Sequence, residues 1–372
     1  MAALFEGTSI NGMSLANRFV RSATWEGLAK DGAVTPRLTE MMVELARGEV
    51  GLIISGYAFV SPEGQSSPGQ LAVYEDRFLP GLRDMVRDVH AVGGKIVLQI
   101  VHGGCMANPA LSGLPPAGPS EMVQDGKSIC RALAKEDIAN LISAFARAAG
   151  RAKQAGFDAV QIHAAHGFLL SQFLSPACNQ RTDEYGGDLT NRARLLLEVV
   201  RSVRETLGPA YPVLVKINSE DFQEGGMSSG EAVEVSGWLE KASIDAIELS
   251  GGMINSPEEF SPVRPGGLKT PEQEVYYRQA ARLYKQKVSI PLILVGGIRS
   301  SEVAEELVRD GTADYISMSR PLICEPGLVK RWREGDRRKA ECVSDNACFG
   351  PALDGTGLYC VTMAKKRSKS SQ

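Results

Sequence analysis

The stretch KEDIANLISAFARAAGRAKQAGFDAVQIHA, residues 135–164, contains a helix pattern followed directly by a strand pattern. Over residues 135–155 apolar side chains recur three and four positions apart, the spacing of one face of an α-helix. Residues 158–164, DAVQIHA, form a short and largely apolar run of the kind that is buried on both faces of a parallel sheet. The stretch therefore predicts a helix that leads into a buried strand.

The same alternation recurs along the chain and predicts a fold of the α/β class. Helical spacing is also clear at 189–207 and 300–309. Eight strand-like runs can be counted: RFVRSAT (18–24), VGLIISGY (50–57), KIVLQIV (95–101), DAVQIHA (158–164), PVLVKIN (212–218), DAIELSG (245–251), PLILVGG (291–297) and DYISMSR (314–320). This repetition is typical of a (β/α)8 TIM barrel. A doubly wound nucleotide-binding sheet is the main alternative, but no run leads into a GxGxxG or P-loop motif.

The barrel accounts for most of the 372 residues. We expect one barrel domain over residues 1–335 and a cysteine-containing tail over residues 336–372. The last residues of that tail, AKKRSKSSQ, are basic and polar, and chain ends of this composition are often frayed. Long loops rich in Gly, Pro and Ser follow strands at 61–70 and 103–120, and an irregular loop follows at 251–270. Such loops are typical of lids and binding walls.

Composition and charge exclude several classes of function. The 41 Lys and Arg against 44 Asp and Glu leave a formal net charge of −3, too balanced for the broad basic surface of a nucleic-acid-binding protein. The apolar runs are too short to span a membrane, and no signal-peptide pattern is visible at the N-terminus. Seven cysteines without a secretion signal favour a reducing compartment and argue against a disulfide framework. We therefore expect a cytoplasmic protein without nucleic-acid or membrane partners.

Unusual polar residues collect at the carboxyl ends of the predicted strands, where TIM barrels place their active sites. His102 follows the third run, and His163 and His166 follow the fourth. The N–H groups of two imidazoles three residues apart can point at one buried oxygen atom, which suits carbonyl polarisation. A metal site or a structural pair are the alternatives. Gln99 and Lys216 lie inside predicted buried strands, where a polar or charged group needs a partner.

The segment IHAAHGFLLSQFLSPACNQRTDEYGGDLTNRARLLLEVV, residues 162–201, closely resembles the Old Yellow Enzyme family of FMN-dependent ene-reductases. The signature of that family is HAAHGY followed by SNxRTDEYGGSxxNR. The resemblance extends to NRFVRSAT (17–24), QIVHGG (99–104), VKINSEDF (215–222) and SMSRP (317–321). It implies an FMN-binding barrel that uses NAD(P)H as reductant. It also implies a small-molecule α,β-unsaturated carbonyl substrate and allows a homo-oligomer, a common state in the family.

The resemblance gives roles to individual residues. His163 and His166 become the catalytic pair that holds the substrate carbonyl. Gln99 falls at the pyrimidine edge of the flavin, and Lys216 falls beside flavin N1, where a cation stabilises the reduced ring; a structural salt bridge is the alternative for Lys216. The other implied flavin positions are Ser22, Ala23, Thr24 and Tyr57 around the ring, and Gly296, Gly297, Ser319 and Arg320 at the phosphate. Two ordinary tight turns are the alternative for the phosphate site.

Two residues of the predicted substrate pocket depart from the family pattern. Trp25 stands where relatives often have Thr or Cys, so it would wall the pocket instead of tuning the flavin. Phe168 stands where many members have the tyrosine that protonates the substrate, and phenylalanine has no proton to give. Protonation would then come from water, from Tyr57 or from Cys105. Tyr57 could also narrow the site or be a core aromatic. His102 and Cys105 complete the predicted pocket.

The tail resembles a degraded cluster motif. Iron–sulfur members of the superfamily carry four cysteines after the barrel. In AECVSDNACFGPALDGTGLYC, residues 340–360, Cys342, Cys348 and Cys360 remain, but Asp345 occupies the position that resembles the second ligand. Because a [4Fe–4S] cluster usually requires four thiolates, we expect neither a cluster nor another metal. Zinc in the same ligand set is a weaker alternative.

The sequence thus predicts an FMN-dependent NAD(P)H oxidoreductase that reduces the C=C bond of α,β-unsaturated carbonyl compounds. One alternative is a flavin-dependent amine or ether dehydrogenase or demethylase of the same superfamily. Another is an FMN-binding redox module with little turnover. A generic phosphate-binding barrel would not explain Gln99, Lys216 and the histidine pair together.

Overall fold

In the computed structural model, which describes residues 2–253, 256–266 and 268–370, eight parallel strands form a closed barrel. Each strand pairs with the next, and the eighth pairs with the first. The barrel strands are β1 Phe19–Arg21, β2 Leu52–Ile54, β3 Ile96–Val101, β4 Ala159–Ala164, β5 Val213–Asn218, β6 Ala246–Ser250, β7 Leu292–Val295 and β8 Tyr315–Met318. Every strand lies inside one of the eight predicted runs, so the predicted TIM barrel is confirmed.

Helices surround the barrel on its outer side. They are α1 Pro36–Arg47, α2 Leu79–Ala91, α3 Lys135–Ala155, α4 Leu189–Leu207, α5 Ser229–Lys241, α6 Arg278–Lys287, α7 Ser301–Arg309 and α8 Leu328–Arg333. The bounds of α3 and α4 are those that the apolar spacing predicts. Side-chain caps set several starts: the carboxylate of Asp188 accepts the Asn191 N–H at the start of α4. Among the described helices, none combines the length and apolarity needed to cross a membrane.

Smaller elements lie at both ends of the barrel. The strands outside the barrel are Thr8–Ile10, Met13–Leu15, Ala58–Phe59, Ala117–Gly118, Met122–Gln124 and Lys127–Ala132. The short helices are Ala2–Phe5, Pro109–Ser112, Leu169–Leu174, Arg320–Cys324 and Gly350–Leu353. The last three of those strands form a small sheet in the loop after β3; Ala117–Gly118 lies inside the predicted loop 103–120, and the other two lie beyond it. In the predicted loop 251–270, residues 254, 255 and 267 lie outside the described part.

The tail folds back onto the barrel. Its Leu358 N–H donates to the Glu26 carbonyl, and its Ala340 N–H donates to the Arg299 carbonyl. The expectation of a frayed end is wrong up to residue 370, because Val361–Ser370 is a helix. Good helix formers in this segment favour it. We propose that the barrel domain ends near residue 335 and that the remainder is an appended tail.

The barrel interior divides into an apolar floor and a polar layer above it. The floor is closed by the N-terminal hairpin and contains Ile10, Met13, Leu15, Val20, Leu52, Ile54, Val97, Ala159, Leu214, Ala246, Ile293 and Tyr315. A larger apolar core lies between the strands and the outer helices. Because the floor fills the lower part of the barrel, the polar strand residues are confined to its carboxyl end, where TIM barrels place their sites.

A buried ion pair joins the ends of β1 and β2. Arg21 pairs with Glu26 and also donates to the carbonyls of Ile54 and Thr24. The same Glu26 carboxylate accepts the Gly56 N–H. Burial raises the pKa of Glu26, and the neighbouring Arg21 charge opposes that shift. The pair therefore fixes the chain just below two predicted flavin positions, Thr24 and Tyr57.

We predict that Leu214→Ala in the barrel floor lowers the free energy of unfolding by about 2–5 kcal/mol, because it leaves a cavity in a fully buried site. Urea unfolding followed by circular dichroism measures the loss. Leu353→Ala is the matched control, since Leu353 is 67% exposed and its truncation should cost less than about 0.5 kcal/mol. Equal losses in the two variants would contradict the assignment of the floor.

Candidate active site

The histidine pair lies at the carboxyl end of β4. His163 is within the strand, and His166 follows it with a positive φ of 62°. The two rings lie edge to face, with centroids 5.3 Å apart. The backbone N–H of His166 donates to the Asn218 side chain at the end of β5, which holds the unusual turn in place. The two histidines of the predicted pair are thus neighbours at one strand end, and that both N–H groups point at one oxygen atom stays a prediction.

Both imidazoles are neutral at neutral pH. Burial lowers the pKa of His163 well below its usual value, and the nearby His166 and Lys216 charges lower it further. Burial also lowers the pKa of His166 well below its usual value, and the positive charge of Lys216 makes a smaller contribution in the same direction. His163 Nδ1 accepts the Ala165 N–H, so its Nε2 carries the proton and is a donor. His166 Nε2 lies 2.7 Å from the Ser250 hydroxyl.

Phe168 and Tyr57 form an aromatic wall beside this pair. The Phe168 ring centroid is 4.8 Å from that of His163 and 5.2 Å from that of Tyr57. The Tyr57 and His163 ring centroids are 6.3 Å apart. Burial raises the pKa of Tyr57 to about 12, so its phenol stays protonated near neutral pH. The ring of a protonated tyrosine thus packs against Phe168, which stands where the resemblance implies a tyrosine.

The loop 61–70 anchors two of the predicted pocket residues. The Tyr57 hydroxyl is 3.0 Å from the Ser67 hydroxyl, and Gln70 donates to the Tyr57 carbonyl. The indole N–H of Trp25 donates to the Pro68 carbonyl. The other side of Trp25 packs on a small apolar cluster of the tail that includes Leu358. Trp25 is therefore held between loop 61–70 and the tail.

A polar layer crosses the barrel above the apolar floor. Gln99 on β3 donates to Gln161 on β4 at 2.6 Å, and Gln161 donates to Glu248 on β6 at 3.0 Å. Lys216 on β5 lies 3.4 Å from the Glu248 carboxylate and donates to the Ser22 hydroxyl at 2.8 Å. All of these side chains are buried. The salt bridge that was the alternative for Lys216 is thus present in the same layer as Gln99.

Sequence reasoning missed two members of this layer, Gln161 and Glu248. Both stand inside quoted strand runs, DAVQIHA and DAIELSG, where a polar residue carries the same signal as Gln99 and Lys216. Strand register brings them together, since Gln161 pairs with Gln99 and Glu248 pairs with Lys216. Burial lowers the pKa of Lys216, and the Glu248 carboxylate opposes that shift.

The end of β1 meets the end of β8 beside the polar layer. The Ser22 N–H donates to the Met318 carbonyl, and the Thr24 hydroxyl lies 2.7 Å from that of Ser319. Ala23 packs from above against the apolar floor. Three predicted flavin positions, Ser22, Ala23 and Thr24, are therefore adjacent to Lys216 on one side and to Ser319 on the other.

The predicted phosphate residues line a single cavity. Gly296 and Gly297 at the end of β7 and Ser319 and Arg320 at the end of β8 all contribute to it. Both glycines have positive φ, and a Cβ on Gly297 would lie 2.5 Å from the Tyr276 ring. Only glycine fits there, which leaves room for backbone groups to approach an anion.

Two features of this cavity differ from the sequence prediction. One nitrogen of Arg320 donates to the Arg264 carbonyl and to the side chain of Asn346 in the tail, so its guanidinium also anchors neighbouring loops. Tyr276 was not predicted, although it lines the cavity. Its buried hydroxyl has no hydrogen-bond partner among the described residues. A free donor of this kind suits a phosphate oxygen.

Cys105, one of the three proton sources that the sequence left open, is excluded because it forms a disulfide with Cys130. The expectation that the cysteines stay reduced is wrong at this pair. Composition could not reveal it, since the small sheet after β3 folds Cys130 back onto the residues that follow the strand. The Cys105 N–H donates to Gln172, which donates to the Gly167 carbonyl.

His102 is buried against loop 61–70, where its Nε2 lies 3.8 Å from the Glu63 carboxylate.

The tail cysteines lie together but not in a ligand set. Cys342, Cys348 and Cys360 line one small cavity with Cys324, a thiol that the motif did not include. The Asp345 carboxylate accepts hydrogen bonds from the Thr362 hydroxyl and from the Ala347 N–H. Burial raises the pKa of Cys348 to about 11. Within the described ranges, no three Cys, His, Asp or Glu side chains are arranged to hold a metal ion.

The donors and acceptors at the barrel mouth fit FMN. The buried Gln99 Oε1 has no partner among the described side chains and is free to accept from a ring N–H. The glycine-lined cavity at β7 and β8 suits a phosphate, and Lys216 supplies a cation between them. The chain matches the sequence model of the NADH:flavin oxidoreductase / NADH oxidase family over residues 3–339. It belongs to this family. FMN with NAD(P)H is the cofactor set of the family, so the two cofactor predictions are confirmed.

Individual relatives agree with this assignment. The chain is 38% identical over 371 residues to a metal reductase of Desulforamulus reducens, covering 98% of this chain and 54% of that protein. It is 35% identical over 326 residues to an NADPH dehydrogenase of Halalkalibacterium halodurans, covering 87% and 91%. An old yellow enzyme homologue from Zymomonas mobilis has a TM-score of 0.77 at 27% identity, covering 91% and 94%. The Old Yellow Enzyme resemblance is confirmed, and the chain spans about half the length of the metal reductase.

We predict that the unfolded, unreduced protein contains five titratable thiols, because Cys105 and Cys130 are paired and the five other cysteines are free. Thiol titration with a chromogenic disulfide in denaturant gives the count. Full reduction should raise it to the seven cysteines of the sequence. The variant Cys130→Ser should give the same count before and after reduction, and seven thiols in the unreduced wild type would contradict the disulfide.

Proposed function

We propose that this chain is an NAD(P)H-dependent FMN oxidoreductase that reduces the C=C bond of α,β-unsaturated carbonyl compounds. The observation that carries the proposal is the edge-to-face pair of the buried His163 and the half-buried His166, both with a lowered pKa, beside the polar layer that fits the flavin. The NADPH dehydrogenase relative, which matches this chain over most of its own length, supports the NAD(P)H-dependent part of the proposal. When bound, FMN would supply hydride transfer from NAD(P)H to the substrate β-carbon, and Gln99, Lys216 and the β7–β8 cavity would hold it.

The histidines polarise the substrate carbonyl. His163 Nε2 carries a proton that is not used within the described structure, so it can donate to a carbonyl oxygen. His166 is held on the same side by Ser250 and by the Asn218 side chain. Because both imidazoles are neutral and each is held by a hydrogen bond, they act as oriented dipoles and need little reorganisation. Withdrawal of electron density toward the oxygen makes the β-carbon a better hydride acceptor.

Tyr57 supplies the proton that the α-carbon needs. Phe168 has no acidic proton, and Cys105 is held in a disulfide, which leaves Tyr57 or water from the predicted sources. The Tyr57 ring lies against Phe168, and its hydroxyl contacts that of Ser67 in a half-buried loop. Ser67 can therefore return a proton to Tyr57 from solvent after each turnover.

The test of this function is anaerobic. FMN-loaded protein is reduced with NADPH or NADH and mixed with 2-cyclohexenone while the flavin absorbance is recorded. Rapid return of the oxidised spectrum is the expected result. The reoxidation rate should fall by about 10²–10³ in His163→Ala, because one donor to the developing oxyanion is lost. The control His90→Ala, an exposed residue at the end of α2 whose imidazole lies 2.8 Å from the Asp158 carboxylate, should react like the wild type. Persistent reduced flavin in the wild type would contradict the proposal and favour a dehydrogenase or a redox module.

The role of Tyr57 gives a separate prediction. Tyr57→Phe should lower the turnover of 2-cyclohexenone by about tenfold or more, because a positioned general acid is removed while the ring is retained. Steady-state oxidation of NADPH measures the loss. Adding Phe168→Tyr to this variant should restore most of the activity, since it returns a hydroxyl to the same wall. Unchanged turnover in Tyr57→Phe would instead assign protonation to water.

A further inference from the structure

The polar layer contains a carboxylate for which the proposed reaction has no direct use. Glu248 is fully buried, and its two oxygens accept from Gln161, Ser317 and Lys216. A buried carboxylate needs such partners, but a well-packed apolar residue would fill this position at lower cost. Its presence directly beside two predicted flavin residues, Lys216 and Gln99, therefore calls for a functional reason.

The direction of the hydrogen bonds supplies that reason. A carboxylate can only accept, so Gln161 must turn its Nε2 toward Glu248. Gln161 then presents its Oε1 to β3, and Gln99 donates its own Nε2 to that oxygen at 2.6 Å. The amide of Gln99 is thereby left with Oε1 pointing away from the chain of hydrogen bonds, buried and without a partner among the described residues.

The negative charge of Glu248 has a second effect, which is on the positive charge of Lys216. Lys216 is 3% exposed, and Glu248 lies 3.4 Å from its ammonium group, so each charge is felt strongly by the other in this dry layer. The negative charge of Glu248 therefore partly neutralises the positive charge of Lys216, the cation predicted to lie beside the flavin. Lys216 also donates to Ser22, which fixes the position of the ammonium group at the end of β1.

We propose that Glu248 is a positioning residue of the flavin site, which presents Gln99 Oε1 as an acceptor through Gln161 and moderates the charge of Lys216. An acceptor at Gln99 matches the N3–H of the flavin pyrimidine, whereas a flipped amide would place a donor against a donor. A moderated cation stabilises the negative charge of reduced flavin less than a free one does. The inference rests on the FMN-binding part of the proposed function and holds for any substrate.

Two variants separate the two routes. Gln161→Met removes the relay but leaves the Lys216–Glu248 pair intact, whereas Glu248→Gln removes the charge and keeps the side-chain shape. Asp158→Asn, at the opposite end of the barrel, is the matched carboxylate-to-amide control. Each holoprotein is prepared with ¹⁵N-labelled FMN. The readouts are the NMR signal of the N3 proton, the reduction potential, and the rate of FMN release followed by flavin fluorescence.

In Gln161→Met, we expect the N3 proton signal to move upfield and exchange faster with water, and FMN to leave about five to ten times faster, since one oriented hydrogen bond is lost. In Glu248→Gln, we expect the potential to become more positive, because Lys216 is no longer offset. Asp158→Asn should leave the N3 proton signal, the reduction potential and the rate of FMN release unchanged. An unchanged N3 signal in Gln161→Met, or an unchanged potential in Glu248→Gln, would overturn the inference. Failure of the wild type to bind FMN would instead overturn the proposed function.

Discussion

Lys216 and Glu248 place opposite charges side by side inside the barrel, at a depth where neither side chain reaches solvent. Burying either charge alone would be strongly destabilising, so each requires the other and the neutral groups around them. The Ser22 hydroxyl accepts a hydrogen bond from Lys216, and Ser317 and Gln161 donate hydrogen bonds to Glu248. These contacts tie together β1, β4, β5, β6 and β8, so the requirement to satisfy two buried charges determines how five strands meet at the barrel mouth.

The rest of the site is arranged around this layer. Below it, the apolar floor keeps polar groups out of the lower barrel. Above it, the histidine pair and the wall of Tyr57 and Phe168 enclose one side, while the glycine-lined cavity lies at β7 and β8. The electrostatics follow from burial, since the Lys216 cation and the dry surroundings keep both imidazoles neutral. Neutral imidazoles can donate to a carbonyl oxygen without adding a second positive charge beside Lys216.

Much of this arrangement could be predicted from the sequence, because barrel strands are short apolar runs and polar residues within them stand out. Gln99, Lys216 and the histidine pair were found in this way. Gln161 and Glu248 carried the same signal, but their meaning depends on strand register, which pairs them with Gln99 and Lys216. Local sequence does not encode that register, so the relay could be recognised only in the folded chain.

The errors also have a common physical cause, which is contact between distant loops. A count of seven cysteines cannot show that Cys130 returns to Cys105. The position of the tail could not be predicted from its basic composition either. Its helix is anchored by the hydrogen bond from Thr362 to Asp345, and the Asn346 side chain accepts from Arg320. The tail therefore packs directly on the cavity lined by Gly296 and Gly297, and Trp25 is held between the tail and loop 61–70.

We propose that the barrel mouth holds FMN between Gln99, Lys216 and the β7–β8 cavity, with the histidine pair facing the substrate. A crystal structure of the FMN-loaded protein with a bound enone tests it most directly. We predict that Gln99 and Lys216 contact the flavin pyrimidine, that the phosphate lies in the cavity lined by Gly296 and Gly297, and that the enone oxygen contacts His163 and His166. A flavin bound elsewhere, or an enone oxygen remote from both histidines, would rule out this placement of cofactor and substrate.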